Sequence, residues 1–323
     1  MLGKLKDARE LIREAKDTFE ERRAAILNKA FTGQLTKKWR EENPDVESAE
    51  KLLERIQKRR KIIYDADCKK AKNEGKRKPR KLLPDKIPEI NYGIRIEIPN
   101  SWTYTNVDFL AHVTKLAGFE YTKYINFSDT GEISIVRAQN VHMGEFIENN
   151  ITYIDKKTSD FLVRSQLNER EVLMVFIGAG TGNVCMAPKG KRWHLGPNVA
   201  KIDVDEISAE YLNYYLQSPA GLANMRLFIK ATAQPSLSMG TIRQILVNLP
   251  PLEEQKEIVR ILDKLLDHED GARALIDMQE QIDLLEKSIL SKAFRGELGT
   301  NDPNDGPAIE LLKRSLKEKL KAA

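Results

Sequence analysis

The chain has 323 residues, 53 Lys+Arg against 48 Asp+Glu, and 31 % charged residues, more than the quarter or so of an average globular domain, which points to much exposed helix surface. Its longest uncharged stretch, Val172 to Pro188, is broken by Gly, Thr and Asn and excludes a bilayer-spanning helix; the opening Met1-Leu2-Gly3-Lys4-Leu5-Lys6-Asp7 lacks the apolar core of a leader, and Cys68 and Cys185 make neither a disulfide framework nor a zinc quartet. A soluble cytoplasmic protein with no membrane contact is expected, and the net charge of +5 leans weakly towards an anionic partner.

The first helical run places Leu5, Ala8, Ile12, Ala15, Phe19 and Ile26 three and four apart, with Arg22 at one seam position. This is the seam of a helix packed along another helix. A second helical stretch, from about Val46 to Asn73, carries a narrow stripe of Leu52, Leu53, Ile56, Ile62 and Ile63. From Lys58 to Lys81 twelve Lys/Arg face only Asp65, Asp67 and Glu74, and the Gly75-to-Lys81 tail reads as a basic linker. Between Pro84 and Pro251 the helical period gives way to short apolar runs. Ile133-Ser134-Ile135-Val136, Val172 to Ile177, Asn183 to Met186 and Val199 to Val204 read as strands. Ser208 is a plausible N-cap for an amphipathic helix through Tyr211, Leu212, Tyr215 and Leu216. The last run starts near Glu253 and reaches about Phe294 with no proline. At about 1.5 Å per residue it is roughly 60 Å long, and it is expected to project as an arm.

The two helical regions share a repeat. Ile26-Leu27-Asn28-Lys29-Ala30-Phe31-Thr32-Gly33-Gln34-Leu35 reads against Ile289-Leu290-Ser291-Lys292-Ala293-Phe294-Arg295-Gly296-Glu297-Leu298, and Ala49 to Arg55 against Ala308 to Arg314. The Ala-Phe-x-Gly-x-Leu core is not generic helix filler, so the regions are related. Phe31, Gly33 and Leu35, with Phe294, Gly296 and Leu298, mark either partner-docking positions or helix ends closed by glycine.

Catalytic signatures are missing. His112, His142, His194 and His268 have no ligand spacing, and no metal is expected. Gly178-Ala179-Gly180-Thr181-Gly182-Asn183 lacks the third glycine of a dinucleotide loop and reads as a tight turn. Asn248-Leu249-Pro250-Pro251-Leu252 is not the Asn-Pro-Pro-aromatic motif of adenine methyltransferases. Side chains suited to double-stranded DNA are present instead. Arg137, Gln139 and Asn140 end a strand, and arginine reads guanine edges as Asn or Gln reads adenine. Thr181, Asn183, Gln234 and Ser236 lie in turns that could join them. Lys189, Lys191 and Arg192 make a cationic turn suited to phosphates. Two alternatives stay open: a coiled-coil adaptor that binds protein only, and a stand-alone methyltransferase or nuclease with unfamiliar motifs.

The chain resembles the specificity subunits of type I restriction–modification systems. Gln234-Pro235-Ser236-Leu237-Ser238, Ile242 and Val247-Asn248-Leu249-Pro250-Pro251-Leu252-Glu253-Glu254-Gln255-Lys256-Glu257-Ile258 look like the end of a target-recognition domain entering a conserved helical region. Ile98-Pro99-Asn100-Ser101-Trp102 resembles the opening of such a domain, and the Ala-Phe-x-Gly-x-Leu copies resemble the ends of the conserved helices. Members usually carry two recognition domains; this chain has one, so it is similar to a half-subunit. The resemblance implies an α+β fold, with one recognition globule (86–248) between helical regions (1–85 and 249–323) that form an antiparallel coiled coil. It implies a non-catalytic protein with no cofactor of its own, S-adenosylmethionine being expected on a modification (methyltransferase) subunit. That subunit, a restriction subunit, double-stranded DNA and a second copy in a homodimer are the expected partners, each chain reading one half of a bipartite target.

Overall fold

Helix α1 (Phe19–Phe31) ends where Gly33 takes φ +75, and a Cβ there would meet Pro99 Cγ at 2.4 Å. The Gln34 N–H donates to Lys29 O at 2.9 Å, the usual closure of a glycine-ended helix. After α2 (Lys37–Glu42), α3 (Ala49–Asn73) begins at Ser48, whose side chain caps the Lys51 N–H. These features belong to a computed structural model that describes residues 18–81, 83–230, 234–295, 297 and 307–321.

The sheet elements follow. Strand β1 (Thr103–Asn106) leads through the short α4 (Val107–Leu110) into β2 (Ala111–Lys115). Then come α5 (Gly118–Tyr124), β3 (Ile133–Val136), β4 (Thr152–Ile154), α6 (Lys156–Phe161), β5 (Glu171–Val175), β6 (Val184–Met186), β7 (Trp193–Leu195) and β8 (Val199–Val204). An antiparallel sheet runs β2-β8-β5-β6. A second, ordered β4-β3-β7, is mixed, with β3 parallel to β7. Every residue of β5 is buried; this inner strand lies between β8 and β6, and after Glu171 it reads as an unbroken apolar run.

Helices α7 (Ala209–Gln217) and α8 (Pro219–Arg226) close the core, followed by α9 (Met239–Arg243). The expected cap holds: Ser208 Oγ accepts the Tyr211 N–H at 3.0 Å. Strand β9 (Leu246–Leu249) pairs antiparallel with β1, Thr103 opposite Leu249, so the two ends of the sheet region are clasped together. Pro250 and Pro251 then start α10 (Leu252–Phe294). Residues 20–267 form one compact unit. The described residues from His268 onward, including α11 (Ala308–Lys321), fall in a second.

One expectation changes here. The first Ala-Phe-x-Gly-x-Leu copy is core of the globule. Leu27, Ala30 and Phe31, with Ala49, Leu52, Leu53 and Ile56, join the main apolar cluster. Tyr211 and Tyr215, one helical turn apart, present a single face, and the Phe31 ring meets both edge-on at 5.3 Å. Phe31 and Gly33 are buried and Leu35 packs against the cluster, so these three dock inside the chain and offer nothing to a partner. Phe294 is exposed; Gly296 and Leu298 lie outside the described residues, as does most of the first helical run, up to Asp17. No helix among the described residues is long and apolar enough to cross a membrane.

Candidate nucleic-acid interface

Three separate segments meet at one rim of the globule. The turn after β5 is stitched to the 234–238 segment: the Gly178 N–H donates to Pro235 O at 3.1 Å, and Leu237 N–H to Phe176 O at 2.8 Å. The same turn is stitched to the loop after β3, where Asn183 Nδ2 donates to Val141 O at 3.3 Å and Gly144 N–H to Val184 O at 2.7 Å. The sequence regions holding Arg137, Gln139, Asn183, Gln234 and Ser236 are therefore neighbours in space. Lys191 pairs with Glu148 of the same β3–β4 loop, which brings the cationic turn alongside.

The structure gives the expected site residues different jobs. Asn140 is fully buried: its Oδ1 accepts the Arg137 N–H, and its Nδ2 serves Ile147 O and Asn149 O. Its amide is spent holding the loop closed, so it does not face a base. The Thr181 hydroxyl lies 2.7 Å from Gly178 O and 2.8 Å from Pro235 O and joins two of the segments. Of the cationic turn, Lys191 is paired with Glu148 and lies over the Trp193 ring at 4.5 Å, and Arg192 is paired with Asp160 at 2.7 Å. Two of the three charges are thus already balanced within the chain; Lys189 is exposed and makes no ion pair among the described residues.

Arg137 and Gln139 both reach Asn150 O, at 3.1 and 3.4 Å. Gln139 is exposed and its bond is at the long limit, so its amide is only lightly held. Gln234 is exposed; Ser236 is half-buried, with its backbone bridged to Ile177 and Lys230. The bridges also reveal cations that sequence reading passed over. Lys230 lies beside Ser236, and Lys115 sits 4.7 Å over the Phe176 ring, next to the Leu237 bond. Neither is ion-paired among the described residues. No spacing signal links Lys115 to the 234–238 segment; it comes there through Phe176, whose carbonyl accepts the Leu237 N–H.

The buried ionisable groups are structural. Lys201 Nζ donates to Glu171 Oε1 and to Gln166 O, both at 2.7 Å, while Asn168 N–H fills Glu171 Oε2 at 2.9 Å. Burial raises the Glu171 carboxyl, with Lys201 pulling it back. Burial lowers His194 and His112 and pushes the Cys185 thiol up to about 12, so that thiol stays protonated and unreactive. No cluster of His, Cys, Asp or Glu among the described residues could hold a metal ion.

The family model for the type I restriction modification DNA specificity domain matches residues 101–275, from the start of β1 into α10. The chain belongs to this specificity family. The specificity subunit of the Escherichia coli type I restriction enzyme EcoBI is 26 % identical over 247 residues, covering 75 % of this chain and 51 % of that protein. The EcoKI subunit of Escherichia coli strain K12 is 30 % identical over 206 residues, 58 % of this chain and 43 % of that one. This specificity-family chain spans about half the length of the curated relatives it matches. Among solved structures, the HsdS subunit from Thermoanaerobacter tengcongensis aligns with a TM-score of 0.41 at 18 % identity, over 87 % of this chain and 59 % of that one. The S subunit from M. genitalium gives 0.42 at 10 %, over 87 % and 56 %.

Proposed function

We propose that this chain is a DNA target-recognition subunit with no catalysis of its own. The observation that carries the reading is the convergence of the β3–β4 loop, the 178–183 turn and the 234–238 segment on one rim, in a family defined by DNA specificity. Lys115, Lys189 and Lys230 would hold phosphates, because each is a cation with no carboxylate partner among the described residues. Gln139, Gln234 and Arg137 would read base edges, since their planar donor groups match purine edges in the major groove. Asn140 and Thr181 serve as the scaffold that sets the loop.

On this reading the protein acts in the cytoplasm and directs modification and restriction subunits to a bipartite site, with S-adenosylmethionine bound by the modification subunit. One globule reads half of such a site. A second globule must supply the rest, and the helical regions, paired antiparallel, would fix the spacing.

The test is selection of binding sites from random duplex DNA by the full chain with its modification partner, followed by titration. A consensus should emerge. The Lys115/Lys189/Lys230 triple change to Ala should weaken all sequences alike and reduce the salt slope by up to about three. Gln139→Ala should instead relax preference at one base pair, by about 1–3 kcal/mol. A selection that returns no consensus would sink the proposal and favour a protein-only adaptor; methylation or cleavage by the chain alone would favour an enzyme.

A further inference from the structure

Three cations of the candidate rim lie over aromatic rings: Lys115 over Phe176 at 4.7 Å, Lys191 over Trp193 at 4.5 Å and Arg137 over Phe127 at 5.9 Å. Two of those rings are core. Phe176 is 5 % exposed and Trp193 1 %, so each is a floor beneath its cation. Phe127 is 39 % exposed and belongs to none of the buried apolar clusters. Its ring is nonetheless held. Tyr121 tilts against it at 5.9 Å between centroids, and the next residue, Ser128, exchanges backbone bonds with Tyr153 of β4 at 3.0 and 2.9 Å. Arg137 is held as well. Its Nη2 donates to Asn150 O at 3.1 Å, its Nε is buried, and its backbone N–H is fixed by Asn140 Oδ1. The outer edge of a guanidinium and an exposed aromatic ring are thereby fixed side by side on a polar rim.

We propose that Phe127 is a specificity-determining residue that takes the methyl group of a thymine beside the guanine read by Arg137. This deepens the recognition reading above and rests on it. In the major groove guanine offers two acceptors that a guanidinium can span, and the thymine methyl is the apolar group on a base edge. Stacking on an aromatic face sets the plane of a guanidinium, so the pair acts as one unit on one base step: the cation takes the acceptors and the ring takes the methyl. A phosphate contact would need only the charge. A protein partner would need a broader apolar face, whereas Ser128, Asp129 and Thr130, which follow the ring, are polar and exposed. The half-site therefore contains a guanine with a thymine, on either strand, at the neighbouring base pair.

Two base analogues test this on the duplex selected by the full chain with its modification partner. Uracil lacks the thymine methyl, and deazaguanine lacks the N7 acceptor of guanine. The guanine read by Arg137 is the one whose replacement by deazaguanine weakens the parent about tenfold but leaves Arg137→Ala unaffected. Replacing the thymine beside it by uracil should weaken binding by the parent about fourfold, the worth of one buried methyl. Phe127→Ala should bind thymine and uracil alike and still be penalised by deazaguanine. Phe127→Leu, which keeps apolar surface, should recover part of the preference for thymine. The ring lies outside the core, so Phe127→Ala should melt within about 2–4 °C of the parent. Three results overturn the proposal: no thymine beside that guanine, a methyl whose removal makes no difference to the parent, or a methyl effect that survives in Phe127→Ala. Each leaves the recognition reading standing, because a consensus has emerged. Loss of the deazaguanine penalty together with the methyl effect also overturns it and makes Phe127 only a support for Arg137. A selection with no consensus removes both readings.

Discussion

The first Ala-Phe-x-Gly-x-Leu copy and the second share most of their residues and a closing backbone bond, yet Leu27 and Phe31 are core while Leu290 and Phe294 are exposed. The contrast teaches that a segment's side chains define what it can pack against, while burial depends on a complementary cavity within reach. For the first copy that cavity is built by Tyr211 and Tyr215, whose hydroxyls are satisfied by Asn248 O and Leu246 O, and by Asn248 Nδ2, which donates to Phe31 O at 3.2 Å. The aromatic faces are free to pack because every polar tip has a partner.

The sharpest way to break this contrast is to truncate both phenylalanines. Phe31→Ala should destabilise the globule by about 3–5 kcal/mol through loss of buried contacts and the cavity left behind. Phe294→Ala should change stability by less than about 0.5 kcal/mol; equal losses in urea unfolding would mean the two environments are alike. The ion pair of Arg40 with Glu254 comes next. Arg40→Ala strands the buried Glu254 carboxylate and should cost about 3 kcal/mol, much of it recovered in Arg40→Ala/Glu254→Gln, which removes the uncompensated charge. Ser208→Ala, which uncaps the helix presenting the two tyrosines, should cost about 1 kcal/mol in the same assay. Protonation sharpens the comparison most gently. Burial holds His194 below its ordinary 6.5, so in the window beneath 6.5 the unfolded chain binds a proton that the folded chain refuses. Its contribution is complete above about pH 6.5 and is lost as pH falls. His194→Gln should flatten that part of the pH–stability curve, and an unchanged curve would remove His194 as the cause.

Much of the fold was legible in residue order. Strand β8 spans the expected Val199 to Val204, Ser208 caps its helix, and the run after Pro251 is helical to Phe294. These elements carry local signals: β-branched runs, a capping serine, a proline stop. Strands β1, β2, β4, β7 and β9 were not legible, because stretches such as Thr103–Asn106, Ala111–Lys115 and Trp193–Leu195 are short and mixed in polarity and gain strand character only from their partners. The candidate rim, as distinct from any tested site, was half legible. Arg137, Gln139 and Gln234 stood out by residue type and loop position, but type alone could not separate Gln139 at the surface from Asn140 in the interior. An asparagine amide serves equally well to read a base or to close a loop, and only its neighbours choose.

By itself, then, the sequence determined the order of elements, the existence of two related helix ends and the chemical character of the candidate rim. Local propensity and side-chain chemistry are properties of the chain, readable one segment at a time. The tertiary structure alone decided which repeat is buried, which cations are already neutralised and which distant loops share a rim. Those outcomes depend on pairings such as Thr36, Arg40 and Trp102 with Glu254, or Gly178 with Pro235. Such pairings are set by where the sheets and helices carry the backbone, and no spacing along the chain encodes them.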